Sequence, residues 1–254
     1  MANNERSELK YIEFRKDRHV DITFKKICPC SSGTIKEQTT KKNGISIVAF
    51  FSNNDKKQIR DIILPEIHDL HYGFVPTKNL HCTFLSLSSK ETFHESNSYF
   101  NVLIKEQIKK FLCERNSLGI TLLLDEIRPG TWYGKDQYPI PHASNGTVVA
   151  IGKPFKVGNY KFVKLANDLA ESLKNSLYPL FGNKFDRNFP TVWSTLGYFD
   201  HMDFDITNEF EDTFDDFRKL DSKIPLEIKV SKISLVEYSY KDLREAQIIE
   251  TFKL

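Results

Sequence analysis

Residues Asn79 to Ser88 read NLHCTFLSLS, with His81 at the mouth of an apolar run and Thr83 two places further on. Histidine gains and loses a proton near neutral pH, which suits it to either side of an acid/base reaction. In a strand, residues two apart face the same way, so this imidazole and this hydroxyl would share one surface. The pair suits proton transfer beside a hydrogen-bond donor for an anionic oxygen. The structural alternative is a half-buried strand-end histidine bonded to a backbone carbonyl. A single His-x-Thr is weak evidence for either.

The elements that must position His81 are legible around it. GISIVAFF holds a continuous apolar, β-branched run from Ile45 to Phe51, typical of a buried strand. Asn53-Asn54-Asp55 reads as a helix cap, and Ile59, Ile62, Ile63, Ile67 and Leu70 recur at helical spacing. Pro65 sits within that helix and is expected to kink it or end its first part. After the His81–Leu87 strand, Ile104, Ile108, Phe111 and Leu112 mark a second helix. GITLLLDEI reads as one strand and RPGTWYGKDQYPIPHASNG as a long Pro/Gly-rich loop. Then come a strand over Thr147–Gly152, a helix over 160–178 with Leu165, Leu169, Leu173 and Leu177, and a strand over Thr191–Phe199. A helix with Phe210, Phe214 and Phe217 on one face precedes the closing strands PLEIKVSKISLVEYSY and AQIIETFKL.

Strand, helix, strand thus occurs twice. The closing strands of the two copies overlie without a gap, Leu80-His81-Cys82-Thr83-Phe84-Leu85 on Val192-Trp193-Ser194-Thr195-Leu196-Gly197. His81 falls on Trp193, and Thr83 falls on Thr195. Two such copies would set their strands side by side about a pseudo-twofold axis. The expected fold class is α+β, with two pseudo-symmetric lobes, each a mainly antiparallel sheet with helices outside, and a central cleft between them. The repeats span about residues 45–90 and 146–200 of a single domain, 44–254. Residues 1–43 are polar and are expected to form a partly mobile extension.

On His81-x-Thr83, the matched second strand and the order of elements, residues 44–254 resemble the 2H phosphoesterase superfamily. That group includes RNA 2′,3′-cyclic phosphodiesterases and the 2′-5′ RNA ligases. Thr195-Leu196-Gly197-Tyr198-Phe199 is close to the stretch after the family's second histidine. The resemblance implies metal-independent chemistry without a cofactor, in which one histidine deprotonates water and the other protonates a leaving 2′ or 3′ oxygen. It implies catalytic roles for His81, Thr83 and Thr195, the threonine hydroxyls holding the phosphate. The partner would be an RNA end or a small nucleotide.

Trp193 breaks the pattern, because an indole donates one hydrogen bond and accepts none. It could stack on a base or ribose, plug a dead site, or simply pack. His142, in His142-Ala143-Ser144, repeats the His-x-Ser/Thr pattern and is a candidate substitute donor. Arg128 and Tyr133 of the same loop combine charge with an aromatic ring, and with Trp193, Ser194 and His142 they make up the expected substrate contacts. Two functions therefore stay open: a weak or atypical cyclic phosphodiesterase, and an inactive RNA- or nucleotide-binding relative using the same cleft. An interaction scaffold is a third.

Bulk properties set limits. Lysine and arginine number 36 against 34 acidic residues, a formal charge of +2, so no global field draws the chain to nucleic acid or membrane. No long apolar run or leader-like start predicts a membrane span or signal peptide. Four cysteines, Cys28, Cys30, Cys82 and Cys113, are too few for a disulfide scaffold and predict a reducing, cytoplasmic setting. Cys28-Pro-Cys30 lacks the second pair of a structural zinc site and reads as loop thiols, so no metal is expected. A monomer is expected.

Overall fold

The computed structural model describes residues 44–70, 74–89, 97–115, 119–129, 147–153, 155–181, 192–199, 219–220, 225–240, 243 and 245–254. The expected N-terminal extension, the Cys28/Cys30 pair, and the expected helix of Phe210, Phe214 and Phe217 lie outside these residues.

Strand β1 (Gly44–Phe50) alternates between two faces, with Ile45, Ile47 and Ala49 in the main core and Val48 on the other side. Ser52 ends the run and caps helix α1 (Asn53–Gln58). Its hydroxyl accepts the Asp55 N–H at 3.2 Å, and the Asp55 carboxylate accepts the Ser52 N–H at 3.1 Å. This reciprocal capping box puts the cap at Ser52, one residue before the expected Asn53-Asn54-Asp55. The helix then runs through Pro65 instead of breaking. A π turn over Ile59–Ile63 leads into α2 (Leu64–Leu70), with the Leu64 N–H bonded to the Ile59 carbonyl five residues back. The wider turn draws aside the carbonyl that a proline ring would strike in a regular α-helix.

A three-residue strand, β2 (Phe74–Pro76), precedes β3 (His81–Ser89). Helix α3 (Asn97–Cys113) follows, then β4 (Ile120–Leu124), β5 (Glu126–Pro129), β6 (Thr147–Gly152), helix α4 (Val157–Phe181) and β7 (Val192–Phe199). The chain closes with β8 (Leu226–Val230), β9 (Lys232–Tyr238) and β10 (Gln247–Lys253).

These strands form two antiparallel four-stranded sheets, β10-β9-β1-β3 and β2-β7-β6-β5, and a β4-β8 ribbon. The architecture is α+β with two lobes, as expected. Two expected strands are divided. GITLLLDEI changes sheet at Asp125, whose N–H bonds the Ile151 carbonyl at 2.9 Å, and PLEIKVSKISLVEYSY changes sheet at Ser231, whose carbonyl accepts the Leu254 N–H at 2.9 Å. Arg128 therefore belongs to strand β5, opposite Val149, and not to the Pro/Gly-rich loop expected to hold it.

One buried core runs through both lobes. It joins Ile47 of β1, Phe84 and Leu85 of β3, Ile104 of α3, Ala150 of β6 and Leu169 of α4. Phe84 meets Phe162 of α4 edge to face, 5.0 Å between ring centroids. Two contacts fix the start of α4. Gly158 lies so close under the Thr121 carbonyl that a Cβ there would strike it. Asn159, fully buried, accepts the Leu123 N–H at 2.9 Å and donates to the Leu123 and Lys153 carbonyls, each at 2.8 Å. Asn159→Ala removes three bonds, each contributing about 1 kcal/mol. A loss of about 3 kcal/mol is expected, read from the urea midpoint at unchanged m-value.

Candidate functional site

The duplication holds at the level of individual ladder partners. On β3, His81 pairs with Phe50, Cys82 with Ala49 and Thr83 with Val48. On β7, Trp193 pairs with Ile151, Ser194 with Ala150 and Thr195 with Val149. The register then slips in both lobes at the residue after the threonine. Phe84 has no partner between the Val48–Thr83 and Ile47–Leu85 pairs, and Leu196 has none between Val149–Thr195 and Val148–Gly197. Each is a bulge, which bends its strand and re-aims the side chains before it. Both bulged residues are fully buried, so core packing holds the bends in place.

These pairings sort the side chains onto two faces. Ala49 and Cys82 lie on the core side in the first lobe, as does Ala150 in the second. Ser194, opposite Ala150, shares that side and is 1% exposed. Its hydroxyl has no hydrogen-bond partner among the described residues. Strict alternation along β7 would have placed it there, away from the surface shared by Trp193 and Thr195. His81, Thr83, Trp193 and Thr195 are all half-buried. Each motif rests on a small apolar cluster distinct from the main core. Val48, Val236 and Leu243, with Phe50 against them, form the first. Val149 and Ile151, with Trp193 packed on them, form the second.

Two features bring the halves together. Strands β3 and β7 are neighbours where the sheets meet, although they share no ladder. Strand β2, just before His81 in the chain, pairs with β7 of the other lobe, and the Thr77 N–H bonds the Leu196 carbonyl at 2.9 Å. The segment that delivers His81 is thereby stitched to the bulge beside Thr195. Pro76 is accommodated because β2 is an edge strand.

His81 Nδ1 lies 2.7 Å from the Asn79 carbonyl oxygen. A carbonyl can only accept, so Nδ1 carries the hydrogen and the neutral ring presents its lone pair at Nε2. The bond anticipated for a merely architectural histidine is therefore also the bond that makes Nε2 a base. The Phe50 ring stands edge-on to the imidazole at 6.2 Å. Cys82, between His81 and Thr83, is fully buried, and burial pushes its thiol up, far from the thiolate a nucleophile requires.

Of the other expected contacts, His142 and Tyr133 lie outside the described residues, and Arg128 is placed only by its backbone in β5. The bond from the Asn79 carboxamide to the Leu243 carbonyl was not among the expected contacts. No local signal marks it, because its partners lie far apart in the chain. Among the described residues no three His, Cys, Asp or Glu side chains group so as to hold a metal ion. Nor is any helix among them long and apolar enough to cross a membrane.

No family model matches the sequence, and no curated protein matches it. Solved structures do. TT0787 of Thermus thermophilus is similar at 14% identity and a TM-score of 0.50, over 83% of this chain and 97% of that one. The chain shares its two-lobed fold with TT0787. LigT of E. coli in its apo form is similar at 13% identity and a TM-score of 0.46, over 85% of this chain and 99% of that one. A structure described as a phosphoesterase is similar at 14% identity and 0.43, over 84% and 98%. LigT has also been solved with phosphate, 3′-AMP, ATP and NADP+. Within this two-lobed fold, His81 and Trp193 occupy corresponding positions, one in each lobe.

Proposed function

We propose that this chain is a 2H-type phosphoesterase acting slowly on RNA ends or nucleotides that carry a 2′,3′-cyclic phosphate, in the cytoplasm and without a metal. The observation that supports this reading best is the duplicated register, with His81-x-Thr83 and Trp193-x-Thr195 at the same ladder positions and each followed by a bulge. Residues 44–254 act as one unit, with the substrate in a cleft between the lobes.

In the proposed reaction a water oxygen forms a bond to phosphorus while its proton passes to His81 Nε2. One ring P–O bond breaks, leaving a phosphomonoester. Thr83 and Thr195 donate hydrogen bonds to the non-bridging oxygens, where negative charge grows. Trp193 cannot protonate the departing oxygen, so that proton comes from solvent, or from His142 if the loop brings it into reach. Turnover is correspondingly slow.

The competing reading is binding without turnover. Its support is Trp193 itself, a half-buried indole seated on Val149 and Ile151, as a stacking platform for a base would be. One experiment tests both. The protein is incubated with a 2′,3′-cyclic nucleotide in EDTA, and the monophosphate is resolved by ion-exchange chromatography. A Trp132→Phe form reports oligonucleotide binding through the remaining tryptophan. Slow ring opening supports the enzyme, and quenching without ring opening supports the binding protein. Neither signal would sink both.

A further inference from the structure

We infer that Asn79 is a positioning residue for His81, and that it draws its rigidity from Leu243, which lies between β9 and β10. The inference rests on the reading of His81 as the acid/base group. The Asn79 backbone carbonyl holds Nδ1 of His81 at 2.7 Å. The carboxamide of the same residue donates from Nδ2 to the Leu243 carbonyl, also at 2.7 Å and 164 positions away in the chain. The peptide that sets the tautomer of His81 is therefore not held by its own strand alone.

Leu243 is a firm anchor. It is 3% exposed, and its side chain packs with Val48 and Val236. Val48 is the ladder partner of Thr83, and Phe50, against the same cluster, is the partner of His81. The Leu243 N–H bonds the Tyr240 carbonyl at 2.9 Å, and its own carbonyl also accepts the Ala246 N–H at 3.1 Å. The backbone of Leu243 is left-handed, φ 58°, as is that of Glu245, φ 61°. A non-glycine residue keeps such a conformation only where its surroundings enforce it. Here side-chain burial and two backbone hydrogen bonds, besides the one from Asn79, enforce it at Leu243. The carbonyl that Asn79 grips is thus fixed in direction, and through Asn79 so is the imidazole.

The test compares Asn79→Asp and Asn79→Ala with the parent protein. Aspartate keeps the shape but presents only acceptors to the Leu243 carbonyl, while alanine removes the tether without repulsion. Imidazole 15N spectra read the tautomer directly, and hydrolysis of a 2′,3′-cyclic nucleotide reads the consequence. In the parent, Nδ1 should be protonated and Nε2 not. In both variants the two nitrogen signals should draw together as the tautomers mix, and kcat should fall about 10–100-fold with KM little changed. Glu245→Gly, which suits the left-handed backbone next to Leu243 and leaves the tether untouched, should leave spectrum and rate as they were. An unchanged His81 spectrum in folded Asn79→Ala would overturn the positioning role even if the enzyme is active. A changed spectrum in a protein that never turns over would support the positioning role and overturn the enzymatic reading instead.

Discussion

His81→Ala is expected to lower hydrolysis of a 2′,3′-cyclic nucleotide by about 10²–10⁴, the usual contribution of one general acid/base group. Among the described residues of the proposed site no second group of this type duplicates it. The corresponding position holds Trp193, Cys82 beside it is buried and protonated, and Thr83 has no means of taking a proton at neutral pH. The rate should therefore drop to the level that phosphate binding alone sustains. Binding itself should persist, because the threonine hydroxyls and the Trp193 face are untouched. His81 is also half-buried at the start of its strand, so its truncation removes little core, and the urea midpoint should move by no more than about 1 kcal/mol. Hydrolysis that survives the substitution would place the chemistry elsewhere in the molecule or in a contaminant.

Trp193→His should act in the opposite direction, raising turnover by about 10²–10⁴ if the imidazole can protonate the leaving oxygen. Geometry favours the gain. Ile151 stands opposite Trp193 as Phe50 stands opposite His81, and Thr195 follows two places on as Thr83 does. The bulge at Leu196 matches that at Phe84, so a histidine at 193 would leave the strand at the same angle to its sheet. The gain also separates the two functional readings. An enzyme impaired only by a missing donor should recover, whereas a site remodelled around a stacking indole should lose oligonucleotide binding and show no faster ring opening. The pH–rate profile offers a second check, since a pair of histidines in opposite protonation states produces a bell where a single base produces a plateau.

The parts of the fold that depend on local pattern were legible in the sequence. The apolar runs of β1, β3, β6 and β7, and the leucine spacing of α4, each state their period within a few residues. The overlay of His81 on Trp193 came from those runs, and it carries over into the ladders residue by residue. The features that escaped depend on partners remote in the chain. GITLLLDEI is apolar on both sides of Asp125, so only the need of β4 for β8, and of β5 for β6, reveals the break. The same holds at Ser231. The three residues of β2 form a strand only because β7 offers an edge. The bulges leave no trace in composition, and the bond from Asn79 to Leu243 spans most of the domain. Ser194 is a different case. Period-two alternation already turned it toward the core, and its place beside Trp193 in the sequence outweighed that signal.

The sheet order β10-β9-β1-β3 has a consequence for how the molecule is made. During synthesis β1 and β3 leave the ribosome early and can pair as a hairpin-like unit around α1 and α2. One edge of β1 then stays open until β9 is translated, after both copies of the repeat are complete. Leu243, the anchor beneath His81, arrives later still. The half of the protein that carries the histidine is thus the half that must wait for the distant strands, with an unpaired apolar edge exposed meanwhile. The second lobe can complete its β7-β6 pairing as soon as β7 emerges. Long-range closure of this kind is slow, and the His81 half of the candidate site is assembled last.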